Sequence, residues 1–237
     1  MFVALFAQAS DKPNIVFILA DDMGYGDLGC YGHPRAKTPV IDQLAKEGVR
    51  FTQHYSNGTE CSPTRTALLT GRYPQRAGGL ECAIGTGNVG RYDDAIRLAG
   101  QRQLGLPAKQ VILPSALKPS GYVSAVFGKW HLGYEPQFNP MEHGWDDFFG
   151  YMGGNVHYFN HRETSDLHVL YRGRLPVHAE GYMTHLITDS SINFIERNKD
   201  DNINVGLKKN TEEGATPSTF STVFQIMEPN ETLSPTK

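Results

Sequence analysis

At 237 residues, with 39% hydrophobic and 20% charged side chains, the chain has the makeup of a globular domain with room for one sizeable core. A net charge of −3 excludes the basic surface of a general nucleic-acid or anionic-membrane binder, and no apolar run reaches the about eighteen residues of a membrane span. Three cysteines, Cys30, Cys61 and Cys82, cannot complete a disulfide framework.

Residues 1–12 begin with a short apolar stretch ending Ala7-Gln8-Ala9-Ser10. That Ala-x-Ala pattern reads as a signal-peptide remnant and points to export, into a periplasm or the extracellular space. Asn14-Ile15-Val16-Phe17-Ile18-Leu19-Ala20 is continuously apolar and rich in β-branched residues, the pattern of a strand buried on both faces of a sheet. It stops at Asp21-Asp22, before a glycine-rich loop over 23–29. Two adjacent carboxylates at the carboxyl end of a buried strand are costly without a positive partner. Open α/β sheets bind ligands at that edge, and hard divalent cations take such oxygens. The plainer alternative is a solvated acidic loop. Asp27 can be read as a cap of the turn.

Thr38-Pro39 predicts a helix start, with Val40, Ile41, Leu44 and Ala45 as its apolar stripe and Gly48 as its stop. Residues 49–56 alternate in part and read as a second strand. It leads into Cys61-Ser62-Pro63-Thr64-Arg65-Thr66-Ala67-Leu68-Leu69-Thr70-Gly71-Arg72. Pro63 fits a first helical turn, Ala67 to Leu69 continue it, and Gly71 ends it. Cys61 then stands at the positive end of a helix, where free N–H groups favour an anion, and Arg65 is one turn along. A buried cysteine in an ordinary helix is the alternative on Cys61 alone.

Residues 75–110 read as an irregular charged insert with a solvated face, and residues 111–118 as a short helix. Tyr122-Val123-Ser124-Ala125-Val126-Phe127 is a further buried strand, emptying into Gly128-Lys129-Trp130-His131-Leu132-Gly133. In an extended segment Lys129 and His131 point the same way, which suits an anion that needs fixed charge and proton traffic. The aromatics of residues 143–151 read as core. Residues 181–198 have helical apolar spacing. From residue 200 to 237 the chain is polar with scattered proline and glycine, and reads as an unpacked tail.

Three of these stretches, Asp21-Asp22-Met23-Gly24-Tyr25-Gly26-Asp27, the Cys61–Arg72 run and Gly128–Gly133, resemble the motifs of the type I sulfatases. The likeness covers residues 13–199. It implies an alkaline-phosphatase-like α/β fold, a mixed sheet flanked by helices on both faces, here truncated on the carboxy-terminal side.

By the same resemblance, Asp21, Asp22 and residue 61 hold a divalent cation, calcium or alternatively magnesium. Cys61 is oxidised to formylglycine by a formylglycine-generating enzyme acting on residues 61–72. Arg65 and Lys129 grip its hydrate and the sulfate, and His131 contacts the hydrate. The implied reaction is hydrolysis of a small-molecule or carbohydrate sulfate ester. A hydroxyl of the hydrate attacks sulfur, and the second hydroxyl then expels the sulfate. Members of the family also carry an Asp-Asn pair, a second lysine and a second histidine beyond the last helix. None of these motifs precedes Lys237, so a truncated or frame-shifted, inactive member is an expectation too, a fragment with residual metal or anion binding. A phosphoester hydrolase of the same superfamily is a further alternative, and Cys61 in place of serine or threonine argues against it.

Overall fold

The computed structural model describes residues 13–77, 80, 82–85, 93–163, 166, 169–198 and 222–229. Six strands form one mixed sheet. In chain order the elements are β1 (Ile15–Ala20), α1 (Pro39–Glu47), α2 (Cys61–Thr70), α3 (Asp93–Gly100), α4 (Leu113–Leu117), β2 (Tyr122–Lys129), β3 (Asp147–Tyr151), β4 (Leu170–Arg172), β5 (Leu175–Pro176), α5 (Met183–Asn198) and β6 (Thr222–Pro229). The spatial order is β1-β6-β2-β3-β4-β5. β6 runs antiparallel to both β1 and β2, so those two strands share a direction, and β3 lies parallel to β2.

Alternation along β2 and β3 divides the core in two. Val126 and Phe148 face one side, where they pack with Leu69 of α2, Ala95 of α3 and Trp130. Ala125, Phe127, Phe149 and Tyr151 face the other, against Met183, Ile187, Phe194 and Ile195 of α5. The Phe127 and Phe194 rings meet edge-on at 5.9 Å between centroids. Each such fully buried side chain contributes roughly 1.5–3 kcal/mol. Helices on both faces of a mixed sheet are the architecture the sequence led us to expect.

Four local expectations fail. Residues 49–56 are not a strand; Val49, Phe51 and Tyr55 are exposed on irregular backbone. Partial alternation makes a strand only where a neighbour supplies hydrogen bonds, and here the Phe51 carbonyl accepts from the Tyr31 hydroxyl instead. β1 is not buried on both faces: Val16 and Ile18 are more than half exposed. The irregular insert contains α3.

The fourth is in the tail. Residues 222–229 pair as β6 between β1 and β2, because Val223, Phe224, Ile226 and Met227 suit a strand and both flanking edges need backbone partners. The rest of 200–237, and residues 1–12, lie outside the described residues. α1 forms with Pro39 in its first turn, as predicted, yet none of its residues is buried, and its apolar stripe faces outward. Among the described residues no helix is long and apolar enough to cross a membrane.

Candidate active site

Two strands and one helix aim their ends at the same cleft. β1 delivers Asp21 and Asp22, β2 ends on Lys129, and α2 begins with Cys61. Helix geometry leaves the first backbone N–H groups of α2 without intrahelical partners, a positive end suited to an anion. Gly71, in left-handed conformation at φ 64°, closes the far end by donating its N–H to the Ala67 carbonyl.

The cleft is lined by Asp21, Asp22, Glu60, Cys61, Thr64 and Arg65 among others. Lys129 Nζ donates to Asp21 Oδ2 at 2.7 Å and to Cys61 Sγ at 2.9 Å. Arg65 Nη2 reaches Asp21 Oδ1 at 3.0 Å, and its Nη1 donates to the Lys129 carbonyl at 2.8 Å. Arg65 Nε is buried with no partner, a spare donor at the rear of the site.

Lys129 and Arg65 are almost fully buried, which makes Asp21 their obligatory counter-charge. Burial pushes the Asp21 carboxyl up, but Lys129 and then Arg65 override it and hold it below the usual carboxylate range.

One oxygen each from Asp21 and Asp22 and the Cys61 sulfur lie within 4.8 Å of one another. Asp22 achieves this in left-handed backbone at φ 56°, exposed to solvent. The Cys61 sulfur stands where the resemblance puts an aldehyde or hydrate oxygen. With an oxygen at that place, the set is three hard donors around one point, which fits a divalent cation. It supplies only part of the six to eight oxygens that calcium takes.

His131 departs from expectation. An extended segment would aim it with Lys129; its backbone is instead left-handed at φ 56°, and the ring still feels the charges of Lys129, Arg65 and Asp21. Its Nε2 meets the Ile84 carbonyl, and its Nδ1 is buried without a partner. Burial, then the charge of Lys129, lowers its pKa to about 4, so the ring is neutral near neutral pH.

Sequence reasoning missed Glu60 and Ser62. The Glu60 carboxylate accepts the Ala83 N–H at 2.5 Å, and Ser62 Oγ donates to the His131 carbonyl at 2.8 Å. The only signal was their position on either side of Cys61. Asp27 caps its turn by accepting the Gly24 N–H, as anticipated. Asp146 and Asp147 pair with Lys118 and Arg197 away from the cleft.

A strand end carrying paired carboxylates, a helix opening on cysteine and a buried lysine together define a hydrolase-like anion site on an α/β sheet. A family model, Sulfatase, matches residues 13–205, and the chain belongs to the sulfatase family. It is 37% identical over 202 residues to N-acetylgalactosamine-6-sulfatase of Homo sapiens, covering 80% of this chain and 37% of that protein. It is 45% identical over 140 residues to human arylsulfatase A, covering 58% of this chain and 25% of the relative.

Among solved structures, Ps i-CgsB in complex with k-i-k-neocarrahexaose aligns with a TM-score of 0.63 at 28% identity, over 75% of this chain and 40% of that one. The PsFucS1 sulfatase from Pseudoalteromonas sp. aligns with a TM-score of 0.55 at 30% identity, over 76% of this chain and 39% of that one. The chain thus spans a little over a third of the length of the N-acetylgalactosamine-6-sulfatases it matches.

Proposed function

We propose that the cleft at Cys61 cleaves sulfate monoesters, with a carbohydrate sulfate as the substrate class. The observation that carries this reading is the convergence of Asp21, Asp22, Lys129 and Arg65 on Cys61 at the head of α2. The carbohydrate class is supported by the names of the relatives, an N-acetylgalactosamine-6-sulfatase and a protein solved with a neocarrahexaose.

Oxidised to formylglycine, residue 61 would supply a hydrated aldehyde, with one hydroxyl for attack on sulfur and a second for release of the product. Asp21, Asp22 and residue 61 would hold a divalent cation, calcium or magnesium, which supplies positive charge at the attacking oxygen.

The chain's own groups do the remaining work. Lys129 contacts residue 61 and, fixed by Asp21, offers its remaining proton to a sulfate oxygen. Arg65 holds the Asp21 carboxylate and the Lys129 backbone in register, so neither moves when charge develops. The free N–H groups at the start of α2 add positive potential at the same point. Preorganised charge of this kind usually lowers the barrier more than any other single effect in such catalysis. On this reading His131 takes the proton that the second hydroxyl of the hydrate loses, and its unpartnered Nδ1 is the nitrogen left to take it.

A second reading has an observation behind it. Asp21, Asp22 and residue 61 give three donors toward a shell of six to eight, which favours a chain that binds a cation or anion without turnover.

Mass spectrometry of the peptide containing residue 61, after co-expression with a formylglycine-generating enzyme, separates the two when paired with an aryl sulfate assay. Hydrolysis expects –CHO in place of –CH2SH and sulfate release that Cys61→Ser abolishes while leaving thermal stability nearly unchanged. Conversion without sulfate release leaves the binding reading, and release that survives Cys61→Ser removes residue 61 from the chemistry.

A further inference from the structure

Ser62 is completely buried, and both of its hydrogen-bonding roles are used. Its hydroxyl donates to the His131 carbonyl at 2.8 Å and accepts the Ile84 N–H at 3.0 Å. Ile84 in turn presents its carbonyl to His131 Nε2. These contacts close a ring: residue 62 holds the His131 backbone, residue 84 holds the His131 imidazole, and residue 62 holds residue 84. On the other side of Cys61, the Glu60 carboxylate accepts the Ala83 N–H at 2.5 Å. The side chains flanking Cys61 therefore fasten the same short strap of chain.

A carbonyl oxygen can only accept, so the Nε2 that faces Ile84 must carry a proton. The other nitrogen, Nδ1, is buried and unpartnered. Gly154 closes one side of the ring: a Cβ there would lie 2.7 Å from His131 Cε1 and 2.9 Å from Nε2, so no larger residue fits without pushing the imidazole off its carbonyl. The left-handed backbone at His131 is uncommon for a residue with a side chain, and the Ser62 hydroxyl is what grips its carbonyl.

We propose that Ser62 and Glu60 are positioning residues: by pinning the backbone at 83–84 they fix His131 as its Nε2–H tautomer, with Nδ1 as the open proton acceptor. A solvated or mobile imidazole would exchange between tautomers and offer the wrong nitrogen part of the time. The use of that acceptor in turnover rests on the sulfatase reading. The clamp itself does not.

The test is ¹⁵N-histidine NMR of the full chain at neutral pH, with His131 assigned by the signal lost in His131→Gln. The wild type is expected to show one neutral tautomer, protonated on Nε2. Ser62→Ala is expected to move both nitrogen shifts toward the average of two exchanging tautomers, and Ser62→Thr to restore the single form. Glu60→Ala, at an exposed position, is expected to produce the same change in smaller degree, and it serves if Ser62→Ala does not fold.

A proton on Nδ1 in the wild type would overturn the proposal. So would an unchanged tautomer in a folded Ser62→Ala protein or, if that variant does not fold, in Glu60→Ala. The readout needs no turnover, so a protein that shows the clamp but cleaves no ester would count against the sulfatase reading alone.

Discussion

At the scale of single residues, the site depends on Asp21. Its two oxygens serve different cations, Oδ2 for Lys129 and Oδ1 for Arg65, and neither cation has appreciable access to water. Removing one partner of a buried ion pair leaves the other charge uncompensated, at a cost of about 3–5 kcal/mol. Asp21→Asn is therefore expected to lower the free energy of unfolding by an amount in that range, read as a lower denaturant midpoint at an unchanged slope. A midpoint within error of the wild type would mean that Lys129 and Arg65 find other counter-charges.

These residues were legible chiefly through the resemblance, because carboxylates at a strand end and a cysteine at a helix head each have an ordinary structural alternative on their own. His131 was legible as a neighbour of Lys129 but not in its backbone conformation. Its carbonyl is held by Ser62, its N–H by Met152 and its ring by Ile84, and no local pattern encodes such long-range contacts.

At the scale of elements, the position of Lys129 depends on how closely β2 and β3 approach. Gly128 pairs with Gly150 one step before Lys129 pairs with Tyr151. A Cβ on Gly150 would lie 1.9 Å from the Gly128 carbonyl oxygen, a contact that only backbone movement can relieve. Gly150→Ala is expected to destabilise the protein by at least about 2 kcal/mol and to weaken the Lys129–Cys61 contact with it. Thermal melting, with the reactivity of the Cys61 thiol as a local probe, would check both.

The helix α5 and the strand β2 were readable from their apolar patterns, whereas β3 was read only as aromatic core. Elements whose partners lie elsewhere in the chain were not readable in this way. Residues 49–56 carry strand-like alternation without a neighbour to pair with, whereas 222–229 sit in a polar tail and still pair on both sides. Hydrogen-bond partners, more than local propensity, decided these two cases.

For the molecule as a whole, the α/β class was what the resemblance to the sulfatases implied, and the apolar strand-like runs were in keeping with it. The balance of stability with pH has a contribution from outside the cleft, beside that of His131. His143 is buried beside Trp130 with neither ring nitrogen partnered, and burial lowers its pKa to about 4 from an ordinary 6.5. Between those values the unfolded chain binds the proton and the folded chain does not, so stability falls as pH drops. The contribution is complete above about 6.5 and is lost progressively down to about 4, amounting to roughly 3 kcal/mol at the limit. The melting temperature is expected to fall on acidification through this window, and less steeply in His143→Phe. Parallel pH curves for the two proteins would show that another group governs acid sensitivity.

The central claim is that β1 and α2 bring Asp21, Asp22 and residue 61 around one point that takes a divalent cation. A thermal melt of the full chain with and without excess calcium tests it most directly, because a ligand that binds only the folded state raises the melting temperature by mass action. Asp22 is the residue to vary, being exposed and outside the ion pairs that hold Lys129 and Arg65. The account predicts a calcium-dependent rise in the wild type that Asp22→Asn abolishes. No rise in the wild type, or an equal rise in the variant, would contradict it.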